Sequence, residues 1–527
     1  MPEEGERGAA PNQRLMSPKS AIAVVNGVVG AVLGTAALVF IAQNMGPDVL
    51  GIMGFAMASV GILSFLSDFG VGSVHANHIR SGEDLGKCVG AYATIRIVLL
   101  AIFSIVTYVV IELWRRGQLG GAMPSNEAVL DSMMAFLIYY VLLGISQIAT
   151  HTFDAQGAVA KVHVPAILEL VVRVSFIIFV ASSSSRSTAD GPALLSASYA
   201  AGIIASALLV ALLMSQVKIS MPDRFILKKY IRSLTPVFAV SAIIILDLYL
   251  DKLFVGNFWG YHELGLYFGV QRMAIFVSVF SLSVATLILP SVTTYFWRKD
   301  VAASWDVVNQ AERYVSLVVI PTAAFYLTFG QQIVIVFLGD QFSPAVQTMS
   351  VLVISSTVVA LALPLRSAIV GVGKHGTLAM IGLGGFVLQL VAMIILVPDE
   401  VQGIKMLGLK GFGAASSLLV LSIYYFFVLR YMAWKTAKIV PNSRSFKHLL
   451  SAVVMVGVMY TVDWMFIPSV DWLALMVLAV VGTVTYGATA YVMGELETSD
   501  YRYFRSMLNP QDTLQYVVHE LLGKRGQ

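Results

Sequence analysis

Gly46-Pro47-Asp48-Val49-Leu50-Gly51-Ile52-Met53-Gly54 leads into one long apolar run, and Tyr261-His262-Glu263-Leu264-Gly265-Leu266-Tyr267-Phe268-Gly269 leads into another. Leu50-Gly51 and Leu264-Gly265 align at an offset of 214 residues. A second pair of turns, Gln156-Gly157-Ala158-Val159-Ala160-Lys161 and Val372-Gly373-Lys374-His375-Gly376, aligns at 216. Each echo alone is weak, because such turns are common between membrane helices. Their near-equal offsets point to a duplicated unit of six helices. Units separated by an even number of helices share one orientation and are related by an axis along the membrane normal. Two such lobes enclose a cleft, and rocking them exposes it to either side in turn.

Working outward from these turns, apolar runs fill the chain at 20–43, 49–73, 88–113, 128–151, 162–182, 192–215, 231–255, 264–294, 313–337, 345–371, 376–397, 408–430, 447–467 and 472–493. Each approaches the roughly 20 residues a helix needs to cross about 30 Å of hydrocarbon. They are continuously apolar and do not alternate, which predicts helices rather than barrel strands. Apolar residues make up 57% of the chain and charged ones 12%, which excludes a soluble enzyme. The first run follows a polar tail and shows no small-residue cleavage pattern, so it reads as a retained helix. The fold class expected is an all-α integral membrane protein of about 14 transmembrane helices. Two parallel six-helix lobes would surround a central cavity, with two further helices at the C-terminus. The expected divisions are a cytoplasmic tail 1–19, an N-lobe 20–216, a basic linker 217–230, a C-lobe 231–431, two further helices within 432–493 and an amphipathic tail 494–527. The spacing of Leu514, Val517, Val518, Leu521 and Leu522 gives that tail one apolar helix face.

Lysine and arginine set the orientation. With alternate connections taken as cytoplasmic, 24 of the 34 basic residues fall on that side and 5 on the other. This predicts both termini inside. The clusters Lys218–Arg232 and Arg430–Lys447 then serve topology and contact with anionic lipid. Cys88 is the only cysteine, so neither a disulfide framework nor a thiolate metal site is expected. The histidines lack ligand spacing and no phosphate-cradling glycine loop occurs, so no metal, no cofactor and no ATP hydrolysis are expected. The basic excess follows topology and calls for no nucleic acid.

Nine ionisable residues interrupt the apolar runs: Asp68, Arg96, Glu169, Arg173, Asp247, Asp251, Lys252, Arg272 and Arg366. At about 2.5–3.5 kcal/mol each, facing lipid would cost on the order of 25 kcal/mol in all. They must therefore pair or line a wet cavity. Glu169 and Arg173 share a helix face at i and i+4, as do Asp247 and Asp251. Asp68 with Arg96, and Glu169 with Arg173, fit simple helix-locking ion pairs equally well. Lys252 and Arg366 lie near enough to a helix end to snorkel. Arg272 lies about 12 Å deep, eight residues into its run, between Gly269 and Met273. Arg272, Arg96 and Arg173, with Arg366 and Lys252, are thus the expected contacts of an anionic head group, because guanidinium offers phosphate a planar fork and stays charged at any depth. Asp68, Glu169, Asp247 and Asp251 would neutralise the empty site or carry a coupling proton or sodium ion. Pro236, Pro290, Pro321 and Pro364 predict kinks in the second lobe.

The chain resembles the polysaccharide flippases of the multidrug/oligosaccharidyl-lipid/polysaccharide exporter superfamily. The resemblance covers the first twelve helices. It rests on Leu50-Gly51, Ser67-Asp68-Phe69-Gly70-Val71-Gly72, Asp251-Lys252-Leu253-Phe254-Val255-Gly256, Leu264-Gly265-Leu266-Tyr267 leading to Arg272, Gly371-Val372-Gly373-Lys374, and Gly411-Phe412-Gly413-Ala414-Ala415. It implies a two-lobed fold with a central cationic cavity that moves polyprenyl- or dolichyl-diphosphate-linked oligosaccharide from the cytoplasmic to the external leaflet. The first helix carries no charge, whereas the lipid II flippases of that superfamily place essential cations there, which argues against a peptidoglycan precursor. The expectation is a transporter and not an enzyme, in the plasma membrane of a prokaryote, working beside glycan-assembly enzymes. The alternatives are a cation-coupled multidrug exporter of the same fold, and a membrane-embedded glycosyltransferase or polymerase. The exporter would favour free carboxylates, and the transferase would need an external catalytic loop, yet the outer connections are short.

Overall fold

The computed structural model describes residues 18–118, 126–183, 190–215, 217–298, 301–437, 444–467, 471–496 and Glu520. The tails 1–19 and 494–527 therefore lie almost wholly outside the described residues, as does the apolar face read at Leu514–Leu522.

Two helices are too long for one crossing. α1 (Pro18–Leu63) has 46 residues and α8 (Arg224–Trp297) has 74, roughly 70 and 110 Å at 1.5 Å per residue. Each is broken at one glycine with the same backbone: Gly46 (φ 78, ψ −178) and Gly260 (φ 85, ψ 179). That left-handed φ is open to glycine without a Cβ penalty. The two breaks are separated by the same offset of 214 as the sequence echo. Beyond α1 the second crossing continues through α2 (Phe65–Asp68) and α3 (Val71–Arg80), past Phe69 at φ 46 and Gly70 at φ 74.

The first lobe is completed by α4 (Leu85–Arg115), α5 (Glu127–Ala155), α6 (Val159–Ser182) and α7 (Gly191–Met214). Asp84 and Asn126 cap α4 and α5 by accepting backbone N–H bonds from Lys87 and Ala128. After α8 come α9 (Val301–Thr328) and α10 (Gly330–Leu338), with an 80° bend between them. A 3₁₀ turn (Asp340–Ala345) leads to α11 (Val346–Gly371), α12 (His375–Leu396), a hairpin of β1 (Glu400–Val401) and β2 (Ile404–Lys405), then α13 (Lys410–Ala437), α14 (Arg444–Phe466) and α15 (Trp472–Val492). Among the described residues, ten stretches are long and apolar enough to span, or eleven with the bent α9–α10 pair. One of these, Val25–Arg80, holds two crossings across Gly46, and α8, which lies outside that set, holds two more across Gly260. Counted in this way, the described residues make fourteen helical passes, in an all-α membrane protein.

The lobes meet along α1 and α8 about a local two-fold axis. A Cβ on Gly51 would lie 1.8 Å from the Tyr261 carbonyl oxygen, and one on Gly265 would lie 1.7 Å from that of Pro47. The contact is reciprocal at the 214 offset, and equivalent positions Asp48 and His262 also meet, at 3.3 Å. Bare backbone allows the closest approach, so both positions require glycine.

Two features depart from the sequence reading. α9 begins at Val301, a dozen residues before the apolar run read from 313. Its early polar positions are buried in ion pairs, Glu312 with Arg430 at 2.6 Å and Arg313 with Glu495 at 3.6 Å. Polar residues that are paired inside a fold look like loop in a hydropathy pattern. Lastly, the basic residues Arg313, Arg430 and Lys447, read as topology signals, converge on buried Glu312 and Glu495.

Candidate functional site

A cavity of 210 Å³ lies between the lobes, walled by α1, α6 and α7 on one side and by α8 on the other. Helix α1 contributes Gly30, Ala31, Gly34 and Thr35, whose small side chains leave the space open. A Cβ on Gly30 or Gly34 would meet nothing within 4 Å. Two guanidinium groups line the cavity: Arg173 of α6 and Arg272 of α8.

Their surroundings differ. Arg173 Cζ stacks 4.5 Å from the Tyr199 ring centre, and its Nε lies 3.3 Å from Glu169 Oε1. Its charge is partly answered on its own helix. Arg272 is exposed and lies 5.1 Å over the Phe268 ring, with no ion pair among the described residues. A cation deep in a membrane protein is stable there only beside water, an aromatic face or an anion. The cavity thus carries one unanswered positive charge and a second held ready.

The remaining charges sort by partner. Arg96 is 2% exposed and stands apart from the cavity. It bonds Asp68 Oδ1 at 2.8 Å, the Ser67 carbonyl at 2.6 Å, the Gly144 carbonyl at 3.3 Å and the Gln147 amide oxygen. With four of its five N–H donors engaged in this way, it joins the far end of the second crossing to α4 and α5. Lys252 is likewise enclosed. Its ammonium donates to Asp251 at 3.0 Å and to the Leu248 carbonyl at 2.9 Å, while Asp251 also accepts 2.7 Å bonds from Tyr267 and Gln271. This network fastens the two halves of α8 to each other. Arg366 is exposed on α11, away from the cavity wall. Asp247 differs from the other three carboxylates in making no ion pair among the described residues; its Oδ1 is buried, as Glu169 Oε1 is, and lies near Gln389 of α12. Asp68, Glu169 and Asp251 each face a cation at 2.8–3.3 Å.

At the other end of the interface the lobes touch again. Phe69 stacks on Phe238 at 4.5 Å, and Tyr140 and Tyr249 share a 2.7 Å hydroxyl bond. The start of α8 is strapped to the first lobe by Lys229 on Glu83 and by Lys87 on Asp223 at 3.4 Å. Burial pushes the Glu83 carboxyl up, but bonds from Lys229 and His78 outweigh it and hold the group below the ordinary carboxylate value. Asp223 is also held low, first by the Ile226 backbone N–H and then by Lys87. Behind this strap His75 bonds Tyr230 at 3.0 Å and Thr152 at 2.9 Å, and Tyr92 bonds His151 at 3.0 Å. None of these ring contacts is visible in sequence, since the partners are up to 155 positions apart. The small-residue spacing of Gly30 and Gly34 is the one signal that could have marked α1 as a cavity wall.

The chain matches the family described as "Polysaccharide biosynthesis protein" over residues 19–296, more than half its length. It is 23% identical over 330 residues to the probable low-salt glycan biosynthesis flippase Agl15 of Haloferax volcanii, an alignment covering 60% of this chain. The chain spans 64% of the length of that curated relative. Among solved structures it is similar to lipid II flippase MurJ in an inward closed conformation (TM-score 0.69, 13% identity, 89% of this chain and 98% of that one). It is also similar to an inward-facing multidrug resistance MATE transporter of the MOP superfamily (TM-score 0.57, 15% identity, 80% and 96%). At such identities these structural likenesses concern the fold alone.

Proposed function

The chain belongs to the polysaccharide biosynthesis protein family, and from that premise we propose that it is a flippase for a lipid-linked oligosaccharide of glycan assembly. The observation that carries the reading is Arg272, a deep guanidinium without an anion, sharing one cavity with Arg173. A diphosphate linkage supplies the missing negative charge and matches the guanidinium fork. The cavity measures 210 Å³, below the roughly 300–1,000 Å³ of ordinary ligand sites. It suits the diphosphate and little of the glycan, so loading a head group requires the lobes to part at one end. Alternating access between the Gly51–Gly265 contact and the Phe69–Phe238 contact meets that need. The lipid tail stays in the bilayer. The basic excess in alternate connections supports a cytoplasmic position for the termini and the Phe69–Phe238 end, and on this reading transport runs to the external leaflet of a prokaryotic plasma membrane. Asp247 is the carboxylate left to carry a coupling proton or sodium ion, because the other three already face cations.

The test is leaflet-resolved mass spectrometry of lipid-linked sugars in depleted cells. Accumulation on the cytoplasmic leaflet, restored by the native chain and not by Arg272→Ala, supports the reading. An unchanged glycolipid pool together with new drug sensitivity would assign the fold to multidrug export instead.

A further inference from the structure

A second recess, separate from the transport cavity, lies where the start of α8 crosses α4. Its volume is 510 Å³ and its walls are apolar: Ile95, Val98 and Leu99 from α4, and Leu227, Ile231 and Leu234 from α8. The stacked rings of Phe69 and Phe238 close its deep end. From Leu227 to Phe238 the helix rises roughly 16 Å, about the thickness of one leaflet's hydrocarbon.

The same stretch of α8 carries a second stripe. Arg224, Lys228 and Arg232 recur at i, i+4 and i+8 and therefore share a helix face. That face is about a quarter-turn from the apolar one formed by Leu227, Ile231, Leu234 and Phe238. All three cations are exposed, and none makes an ion pair among the described residues. Their neighbours are occupied: Lys229 is taken by Glu83, and Asp223, the nearest carboxylate in sequence, is held by Lys87. Ile219, Met221 and Phe225, just before the stripe, expose 59%, 94% and 77% of their surface. Bare apolar side chains alternating with unpaired cations describe a segment lying in the headgroup layer.

We propose that this recess is the seat of a resident anionic phospholipid. One acyl chain fills the groove between α4 and α8, and the phosphate is held by Arg224, Lys228 and Arg232. Apolar groove and cationic stripe, side by side on one helix, match the two halves of such a lipid. The bound lipid lies in the seam between the first lobe and the entry to the second, adjoining the Glu83–Lys229 strap, and so stabilises that seam. The assignment does not depend on what the protein transports.

The full chain, purified in detergent, is titrated with phosphatidylglycerol or with phosphatidylcholine of the same acyl chains, and bound lipid is counted by native mass spectrometry. Phosphatidylglycerol is expected to bind at least about tenfold more tightly, with each surface cation contributing roughly fivefold. The triple variant Arg224→Gln, Lys228→Gln, Arg232→Gln loses most of that preference. Val98→Trp, which fills the groove, weakens both lipids; should it fail to fold, Ile231→Trp at an exposed position makes the same test. Equal binding of the two lipids by the native chain would overturn the phosphate seat. Phosphatidylglycerol binding indifferent to both tryptophans would overturn the groove and leave only surface attraction. Displacement of phosphatidylglycerol by an equal concentration of polyprenyl phosphate would reassign the recess to the transported lipid.

Discussion

Arg96 and Arg272 carry the same guanidinium within apolar runs and meet opposite surroundings. Arg96 is sealed by Asp68, two backbone carbonyls and Gln147, so its loss strips partners from several buried groups at once. Arg96→Ala is expected to cost about 3 kcal/mol or more, the usual penalty for breaking a buried charge network, seen as a large drop in thermal unfolding temperature in detergent. Arg272→Ala should shift that temperature little, because the side chain is exposed and unpaired, while transport is lost. A stable but fully active Arg272→Ala protein would remove this residue from the site. Asp247→Asn tests the coupling role in the same way: transport should lose its dependence on the proton or sodium gradient while folding is retained. The sequence singled out all nine charges within the apolar runs. It offered Asp68 with Arg96 and Glu169 with Arg173, and both pairs are present, but not Asp251 with Lys252, since pairing depends on side-chain packing as well as spacing.

At the scale of elements, two glycines decide how closely α1 and α8 pack. Gly51→Ala places a methyl 1.8 Å from the Tyr261 oxygen, and Gly265→Ala places one 1.7 Å from that of Pro47. Neither backbone can yield without separating the lobes at that end. Each substitution should cost about 1–3 kcal/mol by overpacking and bias the protein toward the state open there. Labelling of a cysteine introduced beside the contact would then rise, whereas Gly457→Ala, with nothing within 4 Å of its new methyl, should leave labelling unchanged. The Gly46 and Gly260 breaks were legible as paired turns. The start of α9 was not, because Glu312 and Arg313 look like loop residues until Arg430 and Glu495 are beside them.

Across the whole molecule, the two lobes are held together at one end by backbone contact and at the other by aromatic stacking and a charged strap. That strap is acid-sensitive. Glu83 and Asp223 both titrate below their ordinary values, so their contribution is complete above those values and disappears as pH falls through the lowered ones. Proteolysis of the 217–230 linker should therefore quicken below about pH 4, and Glu83→Gln should abolish much of that pH dependence. An unchanged cleavage profile in Glu83→Gln would show that the strap does not hold the seam. The sequence by itself determined the membrane class, the fourteen crossings and the duplication, because hydrocarbon thickness and backbone hydrogen bonding leave a long apolar run few alternatives. Only the tertiary structure separated the cations that fasten helices from those that face the cavity. Lateral packing brings together side chains that no local periodicity relates, and a buried charge takes its meaning from whichever neighbour reaches it.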